Sequence, residues 1–160
     1  MRLPIVALLA VSFFSIAVRP AAADTTVFLG SGSAPVNRPT KGFAIGIGML
    51  VLGFEFELAE SAEDPGNAAP SLRTGMGNVL LQTPVPIAGL QFYATAGAGG
   101  YRERLGERQE TSVGLNAGGG VKIRIAGPIR VRLDYRVFSL RGRALHPTIQ
   151  RVYAGVNFAF

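Results

Sequence analysis

Apolar and non-apolar residues alternate through most of the chain beyond residue 24. Leu52, Phe54, Phe56 and Leu58 alternate with Gly53, Glu55 and Glu57. Ile129, Val131, Leu133, Tyr135 and Val137 alternate with Arg130, Arg132, Asp134 and Arg136. Val113, Leu115, Ala117, Val121, Ile123 and Ile125 share a parity opposite Ser112, Gly114, Asn116, Gly118, Gly120, Lys122 and Arg124. Leu90, Phe92, Ala94, Ala96 and Ala98 stand against Gln91, Tyr93, Thr95, Gly97, Gly99 and Tyr101. A period of two marks strands with unlike faces. Segment 71–83 is the exception: neither parity is clean, and a bulge is expected there.

Proline, glycine and polar clusters cut this pattern into about eight strand-length pieces, as in an all-β barrel or sandwich. The connections read as short near Met49, at 84–89 and at 126–128. They read as longer or more polar at 33–41, 61–70, 102–109 and 142–147. That alternation predicts consecutive up-and-down hairpins, not Greek keys. The predicted fold is an eight-stranded antiparallel barrel.

The first residues follow a different rule. Met1 and Arg2 precede an apolar run from Leu3 to Val18, followed by Pro20 and the small residues Ala21 and Ala23. This is the pattern of a secretory signal peptide over 1–23, leaving a single domain over 24–160. No second apolar run of that length follows, so a helical membrane protein is excluded. The exported domain contains no cysteine, and its stability must come from a closed sheet, a core or a membrane.

Two barrels satisfy the alternation. A soluble, lipocalin-like barrel turns its apolar face inward around a ligand. A transmembrane barrel turns that face to lipid and keeps polar groups inside. Many of the chain's 21 glycines lie on the non-apolar face, beside Tyr93, Tyr101, Tyr153 and several charges. On a solvated exterior glycine fills nothing. In a narrow barrel interior it leaves room for long side chains opposite. The glycines favour the transmembrane barrel, with the soluble barrel as the alternative.

The chain ends on Val152, Ala154, Val156, Phe158 and Phe160 at alternate positions. This ending resembles the C-terminal assembly signal of bacterial outer-membrane β-barrels. With the export signal and the eight strands, the whole mature chain is similar to small outer-membrane barrels of the OmpA/OmpX type. The resemblance implies an outer-membrane location and a monomer in contact with outer-membrane lipid. It also implies that the barrel assembly machinery reads the last strand during insertion.

Charge and chemistry refine that picture. The net charge of +6 raises the question of phosphate partners, but no nucleic-acid motif is present. Lipopolysaccharide is the expected phosphate partner, through Arg102, Arg104, Arg108, Arg141 and Arg143 at the long-loop end. The lone histidine, His146, has only Ser139 on the preceding strand as a nearby candidate nucleophile, without a hydrolase pattern. Glu60, Glu63 and Asp64 lack the ligand spacing of a calcium loop. The glycine-rich stretches 75–80 and 97–102 lack a dinucleotide fingerprint. No enzyme, metal or cofactor is expected.

Inward parity collects Glu55, Glu57, Lys122, Arg124, Arg130, Arg132, Asp134, Arg136 and Arg151. The third and seventh strands face each other across such a barrel, so the glutamates are expected to meet the arginines and fill the lumen, with Tyr93 and Tyr153 beside them. In this set bases outnumber acids, so some arginines are expected to turn to tyrosine hydroxyls, carbonyls or water.

Overall fold

The computed structural model describes residues 22–160. Most of the expected signal peptide, residues 1–21, lies outside the described residues. The chain forms eight strands: β1 (Ala22–Ser33), β2 (Asn37–Met49), β3 (Leu52–Ser61), β4 (Ser71–Gln82), β5 (Leu90–Leu105), β6 (Arg108–Ala126), β7 (Ile129–Leu140) and β8 (Thr148–Ala159). Each strand pairs with its neighbours in sequence, and β8 pairs with β1 to close the barrel. All pairings are antiparallel. At the seam Asp24 lies opposite Ala159 and Ser33 opposite Gln150. Ala23 and Phe160 exchange two backbone hydrogen bonds, each 2.9 Å.

The alternation sorts the side chains as a transmembrane barrel requires. Leu29 is 70% exposed and Phe54 55%, whereas Glu57, Arg132 and Arg136 are 0% exposed. A belt of Val, Leu, Ile, Phe and Ala runs round the outside, far more apolar surface than a water-soluble monomer presents. The soluble alternative put this face inside, and the structure turns it out.

Glycine shapes the wall. At Gly30 a Cβ would run into the carbonyl oxygen of Val152, and at Gly118 into that of Tyr135. Gly42 meets Leu58 in the same way, and Gly99 meets Gly75. These contacts fall on every second seam: β8/β1, β2/β3, β4/β5 and β6/β7. Gly119 makes a similar contact with the Tyr93 carbonyl on β5/β6, so a side chain at any of these positions would force neighbouring strands apart.

Three expectations need correction. The loop expected at 33–41 is only 34–36, because β2 begins at Asn37. The loop expected at 102–109 shrinks to Gly106 and Glu107, where Gly106 takes a positive φ of 58°. There β5 and β6 continue as a long hairpin, since alternation persists through the charges: Tyr101 and Glu103 are buried while Arg102 and Arg104 are exposed. Strict short–long alternation therefore fails, and 83–89 is as long as 141–147. Finally, β4 has no bulge; its register with β3 and β5 is continuous. The irregularity lies in β6, between Arg124 and Ala126.

Candidate functional site

The lumen is the chemically distinctive region, and it is layered. Its middle layer is ionic. β3 supplies Glu55 and Glu57, β7 supplies Arg132, Asp134 and Arg136, and β8 supplies Arg151. Arg136 touches three carboxylates: Glu55 at 2.8 Å, Asp134 at 2.9 Å, and Glu57 at 3.2 Å. Arg132 pairs with Glu55 and with Asp134, the latter at 3.1 Å. Arg151 reaches Glu57 at 3.0 Å. Lower in the lumen, Lys122 of β6 pairs with Asp24 of β1. Four cations thus face four carboxylates, and the buried charge balances. Buried ions without partners cost several kcal/mol each, so balance is the condition for burying them at all.

Tyrosines and amides complete the layer. The Tyr93 hydroxyl accepts from Arg132 Nε at 2.7 Å and donates to Asp134. Arg136 donates to the Tyr153 hydroxyl at 3.3 Å. The Arg132 guanidinium lies 4.8 Å from the Tyr93 ring centre. Asn157 donates to Thr26 at 2.9 Å, and Asn116 to Asn78 at 2.9 Å.

The upper layer, toward the end away from the termini, is apolar. Leu72 and Met76 of β4, Tyr101 of β5, Phe138 and Leu140 of β7, and Ile149 of β8 form one buried cluster. This resolves β4: its inward set is Leu72, Thr74, Met76, Asn78 and Leu80, mostly apolar because it fills the lumen there. Arg151 joins the layers, its guanidinium 4.3 Å from the Phe138 ring centre. Above the cluster, Arg38 is buried and donates to the carbonyl oxygens of Ala34, Ala62 and Pro70, fastening two loops over the mouth. Glu103 accepts the Leu145 backbone N–H at 2.7 Å and ties down a third loop.

The lower mouth holds the two inward arginines that the network leaves out. Arg130 is half-buried and donates to Gln91 at 3.4 Å; Arg124 is exposed. Both line a cavity of about 170 Å³ with Asp24, Gln82, Gln91 and Lys122. Both stand at the rim, and neither pairs with a glutamate. The acid missing from the expected set is Asp24, and with it the excess of bases in the buried network disappears.

The five arginines expected to form one cluster divide into two groups. Arg102 and Arg104 face outward and share a surface cavity with Lys41, Glu60 and Arg73. Arg108 donates to the carbonyl of Arg143 at 2.7 Å, beside exposed Arg141. Lys41 and Arg73 both pair with Glu60, at 3.1 and 3.4 Å. Neither was singled out from the sequence, although each has outward parity above the apolar belt. In the last strand, Val152, Ala154, Val156 and Phe158 all face outward, and Phe160 is 77% exposed. No hydrogen bond joins His146 to a serine, and no group of three or more potential metal ligands occurs, among the described residues.

No family model and no curated protein sequence matches the chain. Solved structures do match. Neisserial surface protein A aligns with a TM-score of 0.69 and 14% identity, covering 88% of this chain and 97% of that one. The N-terminal β-barrel domain of Pseudomonas aeruginosa OprF aligns with a TM-score of 0.65 and 16% identity, covering 87% and 97%. The outer-membrane enzyme PagL aligns with a TM-score of 0.53 and 13% identity, covering 84% and 98%. The fold thus houses an enzyme as well as other barrels. With its closed register, apolar exterior and charged interior, the chain has the eight-stranded up-and-down fold of bacterial outer-membrane β-barrels.

Proposed function

We propose that this chain is a monomeric, integral outer-membrane barrel with a closed lumen, acting through its outer surface and loops rather than by conduction or catalysis. The observation that carries this reading is the inverted polarity of the barrel: balanced ions and an apolar plug inside, an apolar belt outside. A general diffusion pore needs an aqueous lumen, and here side chains from opposite walls meet. The lower mouth then faces the periplasm and the loop end the cell surface. Lys41, Arg73, Arg102 and Arg104 stand at the top of the lipid-facing wall, where guanidinium and ammonium groups suit lipopolysaccharide phosphates. The last strand, ending at Phe160, is the segment offered to the assembly machinery. Reading the lone histidine without a serine partner, we assign no hydrolytic chemistry.

The test is reconstitution of purified protein in a planar bilayer, with outer-membrane fractionation alongside. We expect a heat-modifiable band in the outer-membrane fraction and no steady conductance. Steady ion flow through the wild-type protein would replace the closed barrel with a narrow channel.

A further inference from the structure

The lower mouth carries two arginines without a carboxylate partner among the described residues. Arg124 and Arg130 are direct cross-strand partners on β6 and β7. Like charges in that position repel. Neither has a carboxylate within 4 Å among the described residues, and the sequence before residue 22 contains no acid. The nearby acids are already engaged: Asp24 by Lys122, and Glu55 by Arg132 and Arg136. With Lys122 and Asp24 cancelling, the side chains at the mouth keep the charge of two arginines. The one register shift in the barrel falls here, at Arg124–Ala126. Bulges of this kind commonly re-aim side chains beside sites.

Arg124 and Arg130 line the half-open cavity of about 170 Å³ described above, with Gln82 and Gln91 on its wall. We propose that this vestibule binds a small oxyanion of the phosphate class, gripped by Arg124 and Arg130. The planar fork of arginine suits a tetrahedral oxyanion, and a dianion between the two would turn repulsion into bridging. The cationic and amide lining comes from inward-facing positions, so the ligand arrives from the aqueous compartment below and not from the lipid belt. The site depends on the barrel alone, not on the surface role proposed above.

The experiment is calorimetric titration of the refolded full barrel, in non-ionic detergent, with inorganic phosphate at constant ionic strength set by chloride. We expect one saturable site, competed by sulfate and not by added chloride. Arg124→Gln and Arg130→Gln are each expected to weaken it by about tenfold or more, as befits losing a charge-assisted hydrogen bond. Glu107→Gln, exposed at the tip of the β5–β6 hairpin, is expected to leave it unchanged. A second arm repeats the titration in nanodiscs of phosphatidylcholine with and without phosphatidylglycerol. Equal binding in both supports the soluble source; loss of phosphate binding when phosphatidylglycerol is present overturns it in favour of a lipid headgroup. Absence of saturation in the wild-type protein, or saturation insensitive to both single variants, overturns the site.

Discussion

The middle and upper layers fill the same barrel with opposite chemistries. In the middle, Arg136 lies within 3.2 Å of three carboxylates and hydrogen-bonds two of them, Glu55 and Asp134, so direction as well as proximity holds those pairs. Above, six apolar or aromatic side chains from four strands pack into one buried cluster. An ionic layer is intolerant: removing one partner leaves another charge buried. An apolar layer can relax partly around a loss. The ionic layer also fixes register, because a two-residue slip keeps every side chain on its face yet separates the pairs. The apolar layer contributes less to register; in the closed barrel proposed above, its part is the seal.

The largest expected effect breaks the ionic layer. Arg136→Met is expected to cost about 3–5 kcal/mol, because it strands buried carboxylates. Urea unfolding in lipid vesicles measures it; a loss no greater than that of Arg104→Met would show the layer to be ornamental. Losing both sides of a pair, as in Arg151→Met with Glu57→Gln, is expected to cost less than the sum of the single changes.

The plug comes next. Met76→Ala is expected to cost about 2–4 kcal/mol through the cavity it leaves. The bilayer is nevertheless expected to stay silent, since the ionic layer below remains. Adding Glu55→Gln and Glu57→Gln to Met76→Ala is expected to produce flickering current. Leakage from Met76→Ala alone would make the plug the only seal.

A control outside both layers tests the exterior. Leu133→Arg, on the lipid face, is expected to cost about 2–4 kcal/mol near mid-membrane, while inward Asn116→Arg is not expected to follow the same depth rule. Equal tolerance on the two faces would contradict the membrane reading. The smallest effect lies at the surface: Lys41→Gln, which removes one exposed pair with Glu60, is expected to change stability by under about 1 kcal/mol in the same unfolding assay. A larger loss would mean that the cluster around Glu60 is structural.

The contrast between the layers also explains what the sequence disclosed. Strand number, closure and the inward parity of Glu55, Arg132 and Arg136 follow from period-two patterning, because one face must meet lipid. The apolar upper layer was hidden for the same reason: Leu72 and Met76 look lipid-facing when apolar is equated with outward. Asp24 escapes the alternation because it stands directly at the expected signal cleavage point, before any clear period of two begins. Arg124 and Arg130 show that parity assigns a face but not a depth. The β5–β6 extension was read as loop because its alternation is polar on both faces.

Closure of β8 on β1 has a consequence in time. The seam joins residues more than a hundred positions apart, from Asp24–Ala159 to Ser33–Gln150. Contacts of such separation form late, because the chain entropy lost in making them is large. The same two strands supply Asp24, Arg151, Tyr153 and Asn157 to the lumen. Until they meet, the sheet is an open trough, and the ions lining it can remain hydrated. Dehydration of the interior is therefore deferred to the final step of assembly. At that step every acid has its base within reach, and the barrel passes from trough to tube without burying a lone charge.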